Sequence, residues 1–182
     1  MFFTSILQSA LLFASFQVVS SLSLNVTVVS SQNNLARFEC WQLCSPLEQS
    51  TQFGIIGTAT TFLGDVTNIT YNVIPSGFDS GIHTAPSNQW VIVLNGLVTV
   101  TLPNNSTASV TTTGGEQGLL FFKDTASVTK RGHGSYYPGV TETIFLQIPV
   151  KDGDLPDHRV LFNNAPCSGN QFEGLRGLAN AG

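Results

Sequence analysis

Gly81-Ile-His83-Thr-Ala85-Pro-Ser-Asn-Gln89-Trp-Val-Ile-Val-Leu-Asn95-Gly96 places a histidine six residues before a glutamine and then runs apolar up to an Asn-Gly pair. Trp, Val and Ile in close succession favour an extended chain, and Asn-Gly is the dipeptide of tight two-residue hairpins. The stretch predicts a strand over Gln89 to Leu94, a turn at Asn95-Gly96, and a return strand over Leu97 to Leu102. His83 and Gln89, an imidazole and a neutral amide, are its candidate chemical groups.

The same signature recurs along the chain. Gly54 to Leu63, Thr67 to Ile74, Ser109 to Thr113, Leu119 to Phe122 and Thr143 to Ile148 are rich in Val, Ile, Thr, Phe and Tyr and are separated by Gly, Pro, Asn and Asp. No segment beyond the N-terminal one sustains a 3.6-residue period. The expectation is an all-β chain with few short helices and one core, without internal repeats. Leu24 to Val29 reads as an extended arm, Ser30 to Asn34 as a polar linker, Phe38 to Leu43 as a turn of helix, and residues 167–182 as a loose Gly-rich tail around a domain spanning residues 24–166.

The first charged residue of the 182 is Arg37, and Phe2 to Ser20 is largely apolar. This predicts a secretory signal over residues 1–21, cleaved near Ser21 or Ser23. Gln8, Ser9 and Gln17 interrupt the run, which argues against a permanent membrane span. Export agrees with four glycosylation acceptor sequences, beginning at Asn25, Asn68, Asn104 and Asn105. In an oxidising compartment two of the three cysteines, Cys40, Cys44 and Cys167, are expected to pair. We take Cys40 to Cys167, a long loop whose closure is worth roughly 4 kcal/mol in the chain-entropy model. Cys44 is then a free thiol or an intermolecular partner, and a Cys40 to Cys44 bridge is the rival.

The formal charge of −4 includes only 7 Lys and Arg, none clustered with aromatics, so nucleic acid is not an expected partner. Ser80 to Gly115 carries no Asp, Glu, Lys or Arg. A ligand bound by this region is expected to be apolar or neutral. Asp152-Gly-Asp154-Leu-Pro-Asp157-His158 concentrates donors, but its Gly and Pro read as an exposed turn. Neither a Ser-His-Asp pattern, nor a phosphate loop, nor a zinc-protease helix is visible.

The stretch from Gly54 to Pro149 resembles the cupins, small jelly-roll β-barrels that often hold a metal inside. In that family two histidines two residues apart are followed four residues later by a glutamate, an apolar strand and a glycine; here the places are His83, Ala85, Gln89 and Gly96. A second motif supplies one more histidine, matched by His133 in Lys130-Arg-Gly-His133, and Gly114 to Gly118 stands in for its usual Pro-x-Gly turn. His83-x-Ala-Pro-x-x-Gln89, Asp124-Thr125, Gly132-His133 and Leu146-Gln-Ile-Pro149 resemble a fungal and bacterial branch of the family. The resemblance implies a cupin-type barrel with His83, Gln89 and His133 facing one cavity.

With Gln89 inward, Val91 and Val93 follow it, while Trp90, Ile92 and Leu94 pack outside. A glycan on Asn68 would turn Ile69, Tyr71 and Val73 inward. Tyr71 with Phe121 or Phe122 would line the cavity, and we assign Phe121. Lys123 and Asp124 are expected at the rim, either as a salt bridge or with a chemical role, with Lys123 assigned to substrate binding, and of Tyr136 and Tyr137 we assign Tyr136 to the mouth. His83 and His133 could hold a divalent iron, manganese or zinc ion only weakly, because Gln89 is a poor ligand and Ala85 none. No cofactor is the primary expectation.

Together with the resemblance, these residues imply a protein of the secretory pathway, glycosylated, that binds a small, largely apolar metabolite, and the resemblance implies a non-redox isomerisation or cyclisation in secondary metabolism. A Diels-Alder type cycloaddition is among the reactions that the resemblance implies. An iron- or manganese-dependent oxygenase and a non-enzymatic binding protein are the alternatives. Family habit also implies a homodimer.

Overall fold

The computed structural model describes residues 22–176; the expected signal segment at 1–21 and residues 177–182 lie outside them. Strand β1 (Ser23–Gln32) turns through Asn33 and Asn34 into β2 (Leu35–Pro46), and a short ribbon follows, β3 (Glu48–Gln49) with β4 (Ala59–Thr60). Then come β5 (Thr70–Ile74), β6 (Asp79–His83), β7 (Gln89–Asn95), β8 (Val98–Leu102), β9 (Asn105–Thr112) and β10 (Leu119–Phe122). The chain continues through β11 (His133–Tyr136), β12 (Thr143–Pro149) and β13 (His158–Asn163) to the helix α1 (Gly169–Arg176). The architecture is all-β, as the strand-rich composition implies.

Two main sheets pack together. One has seven strands in the order β13-β2-β1-β10-β7-β12-β5, and the other has four in the order β6-β11-β8-β9. The expected closed barrel does not form among the described residues, because no strand belongs to both sheets. The apolar core lies between them: Val29, Phe38, Val91, Val93, Leu120, Phe122 and Phe145 meet Val98, Val100 and Leu102. A second core lies on the outer face of the larger sheet, where Val26, Val28, Trp41, Trp90 and Phe121 pack with Val150 and Leu63. The Trp90 indole N–H donates to the Leu63 carbonyl at 3.2 Å, which staples the covering loop in place.

Asn95-Gly96 is not a hairpin. β7 pairs with β10 and β12, whereas β8 pairs with β9 and β11, so the chain crosses at this point from one sheet to the other. Thr143, fully buried, holds the corner: its hydroxyl donates to the Leu97 carbonyl at 3.0 Å and accepts from the Leu97 amide at 3.1 Å. Gly96 sits at φ 89°, and a Cβ there would lie 2.5 Å from the Thr143 Cα. Alternation and turn residues look alike whether the next strand pairs beside the last one or faces it, so the local pattern predicts the turn but not the crossing.

The N-terminal segment also departs from expectation. The supposed arm and linker form β1, a central strand antiparallel to β2 and parallel to β10. Asn33 and Asn34, at φ 53° and 63°, make its hairpin, the positive-φ pair that a primed turn requires. Phe38 to Leu43 is strand rather than helix. Its outward side places Arg37, Glu39 and Trp41 in a row, with Glu39 accepting from the guanidinium and, at 2.7 Å, from the Trp41 indole. Gly54 to Leu63 is mostly turns, with only Ala59–Thr60 in a strand.

The supposed loose tail contains α1. Cys167 is bonded to Cys40, and Phe172 is buried against that disulfide with Leu161 nearby. Cys44 is free and exposed. The bridge joins residues 127 apart in sequence, so it restrains the unfolded chain strongly. Replacing both Cys40 and Cys167 by alanine should lower the unfolding free energy by about 4 kcal/mol, read from urea denaturation of the two proteins.

Candidate functional site

A cavity of about 100 Å³ lies in the apolar core between the sheets. Its walls are mainly Val91, Val93, Val98, Val100, Leu120, Phe122 and Phe145, and its polar groups are His83, Gln89, His133, Ser135, Tyr137 and Gln147. His83 and Pro86 line it and are also exposed, which marks the mouth. Lys, Arg, Asp and Glu are missing from the lining, which matches the charge-free stretch of sequence.

The two histidines meet because β6 and β11 pair in a register that sets His83 opposite His133, with ring centroids 4.5 Å apart. His133 is buried and its ring also packs on Phe122, centroids 4.7 Å apart. Its Nδ1 lies 2.6 Å from Oδ2 of Asp124, a residue with 0 % exposure. A carboxylate only accepts hydrogen bonds, so Nδ1 is the donor in this pair. Asp124 reaches this position by simple alternation: Phe122 faces inward, Lys123 outward and Asp124 inward. The Lys123 ammonium instead lies over the Trp41 ring at 5.1 Å, on the other side of the sheet. The Asp124–Lys123 salt bridge expected from sequence is therefore replaced by an Asp124–His133 pair.

Gly132 makes the pairing of the histidines possible. It has φ 67°, and a Cβ would lie 2.0 Å from the His83 carbonyl oxygen, a backbone atom that cannot swing aside. Gly132→Ala should cost at least about 2 kcal/mol of stability. The same variant should abolish the mutual ring-current shifts of His83 and His133 in the imidazole NMR spectrum.

His83 has its pKa lowered, first by loss of water on the face packed into the site and then by the neighbouring His133; the Gly81 carbonyl and Asp124 oppose the shift more weakly. Its Nδ1 is 3.1 Å from that carbonyl. The unfolded chain therefore takes up a proton at His83 before the folded chain does. Stability from this residue is full above pH 6.5, the unperturbed value, and falls as the pH drops through 6.5 towards the lowered folded value. His83→Asn should flatten the decline in urea midpoint between about pH 7.5 and pH 5.5 relative to the unmodified protein. Burial raises the pKa of Tyr137, with a hydrogen bond to Ser135 acting the other way, so its hydroxyl remains a donor at neutral pH.

Of the residues singled out from sequence, His83, Gln89, Val91 and His133 do share the cavity. Four others do not. Tyr71 is 60 % exposed on the outer face of β5, where Val73 also points outward and Asn72 and Ile74 turn inward. The inward assignment of Tyr71 failed because it hung on one assumed glycan. Phe121 pairs with Trp90 in the second core, and Phe122 lines the cavity in its place. Tyr136 is exposed, and Tyr137 is the buried member of the pair. Counting in twos from His133 through Ser135 finds Tyr137, a signal present in the sequence. Ser135, Phe145 and Gln147 were not singled out at all.

Asn68, Asn104 and Asn105 are exposed. Asn25 is not free in the same way: its side-chain nitrogen donates to the Gln171 carbonyl at 2.6 Å beneath α1, and Thr27 is buried. Among the described residues, no group of three or more His, Cys, Asp or Glu side chains is arranged to hold a metal ion, and no helix is long and apolar enough to cross a membrane. Neither a protein-family model nor a curated protein matches the chain.

Proposed function

We propose that the chain binds a small, largely apolar and uncharged organic molecule between its sheets and catalyses a non-redox isomerisation, dehydration or cyclisation, with His133 as general base. The Asp124–His133 pair carries this reading. The carboxylate holds the imidazole in one tautomer, leaves Nε2 to take a proton from substrate, and stabilises the imidazolium that results. The aliphatic and aromatic walls lower the local dielectric, which strengthens each polar contact made inside. The cupin and jelly-roll assignments belong to the same proposal, supported by the spacing of His83, Gln89 and His133 and by their common cavity. Secretion is supported by the Cys40–Cys167 bridge, which suits an oxidising compartment.

The metal that the cupin resemblance implies does not fit this set of side chains well. Two imidazoles and the neutral Gln89 amide fall short of the three strong donors of a catalytic site, and Asp124 is already committed to His133. The size of the cavity also disfavours enclosing a large polycyclic substrate. A cavity of about 150 Å³ accepts benzene, so a larger molecule could place only its reacting end here.

The test compares the unmodified protein with His133→Asn and Asp124→Asn against a panel of small uncharged carbonyl compounds in deuterated buffer. His133→Asn should lower the rate of carbon deuteration by about 10²-fold or more. Asp124→Asn should lower it too while binding persists, because the amide can no longer hold the correct tautomer. Undiminished rates in both variants would overturn the role of His133. Near-stoichiometric iron or manganese in protein purified without added metal, lost on replacing either histidine, would favour the oxygenase alternative.

A further inference from the structure

Gln89 is buried, 3 % exposed, and lines the cavity, yet no described residue hydrogen-bonds its side-chain amide. The amide is not sealed off as Asp124 Oδ1 is, and so it is open to whatever occupies the cavity. The group presents an N–H donor and a carbonyl acceptor side by side, and its complement is an acceptor next to a donor. β7 and β10 pair with Gln89 directly opposite Phe122, and the Phe122 ring packs on the His133 imidazole. The Gln89 amide and the base oriented by Asp124 therefore face one cavity from paired neighbouring segments, its other polar groups being His83, Ser135, Tyr137 and Gln147. With no Lys or Arg in the lining, a carboxylate or phosphate would find no fixed positive charge.

Resting on the general-base role of His133, we propose that the ligand is a small neutral α-hydroxycarbonyl compound, an acyloin, recognised by Gln89. Its carbonyl oxygen accepts from the amide N–H and its hydroxyl donates to the amide oxygen, while its alkyl ends lie against Val91, Val100 and Phe145. The volume of about 100 Å³ limits the enclosed part to roughly four to six non-hydrogen atoms, by comparison with benzene in a cavity of about 150 Å³. In the reaction, the C–H bond at the carbinol carbon breaks and its proton passes to Nε2 of His133. The electron pair forms a carbon–carbon double bond, and the carbonyl π electrons move onto oxygen, where the Gln89 N–H stabilises the developing charge. The product is an enediolate: return of a proton to the carbinol carbon exchanges or inverts the centre, and when the hydroxyl proton first passes to the neighbouring oxyanion, protonation of the other carbon moves the carbonyl by one carbon. No electrons are gained or lost overall.

Acetoin and 2-butanone are the probes, since they differ chiefly by the hydroxyl group. Ligand-observed NMR titration should show acetoin binding the unmodified protein about ten-fold or more tightly than 2-butanone, and Gln89→Leu should remove that preference while leaving the thermal midpoint near its original value. Equal affinity for the two compounds, or a preference that survives in Gln89→Leu, would overturn the recognition proposed for Gln89. In deuterated buffer, (R)-acetoin should gain deuterium at the carbinol carbon and lose optical purity together, and His133→Asn should suppress both. Selective binding of acetoin without deuteration would support the ligand class and overturn the general-base reading on which the reaction rests. Deuteration without a Gln89-dependent preference would do the reverse.

Discussion

Strands β7 and β10 have two faces to bury, and the molecule is arranged around satisfying both. On one face Gln89, Val91 and Val93 stand beside Leu120 and Phe122, and these side chains need a second sheet above them. On the other, Trp90 meets Phe121 edge-on with ring centroids 4.7 Å apart, and these need a cover of their own. Fully burying a large apolar side chain is worth about 1.5–3 kcal/mol, so leaving either face wet would forfeit much of a domain's net stability. The crossing at Gly96 brings the four-stranded sheet over the first face, and the Leu63 loop closes the second.

Close packing between the sheets is incomplete where the polar groups gather. A buried carboxylate pays a large desolvation cost, which Asp124 offsets through one short hydrogen bond to His133, while its Oδ1 has no described partner. Gln89 adds a neutral amide to the cavity lining. A core built for stability alone would place aliphatic side chains at these positions. Their presence beside a cavity has the character of a site whose polar groups are completed by a ligand.

Much of this was legible in the residues. Runs of Val, Ile, Thr and Phe between Gly, Pro and Asn mark an all-β chain, and the pairing of Cys40 with Cys167 agrees with the bridge expected of an exported chain. His83, Gln89 and His133 line one cavity, as the spacing of the cupin-like motif implied, and Val91 joins them by strand alternation from Gln89. The errors have a common cause. Phe121 and Phe122, like Tyr136 and Tyr137, are adjacent residues of similar type, and only the strand register decides which of each pair points inward. Asp124 looked like the natural partner of its neighbour Lys123, but adjacent residues on an extended chain face opposite ways.

The sequence by itself determined the predominantly extended conformation of the chain and a central region without charged groups, because these follow from local preference and composition, whereas the choice of Cys40 over Cys44 as the partner of Cys167 is settled by the fold. Only the tertiary structure decided that Asn95-Gly96 is a crossing between sheets, that β1 is a central strand, and that Asp124 serves His133. Each of these depends on which strands become neighbours and in what register. That choice is made by burying both faces of a sheet at once, and no single segment carries enough information to make it.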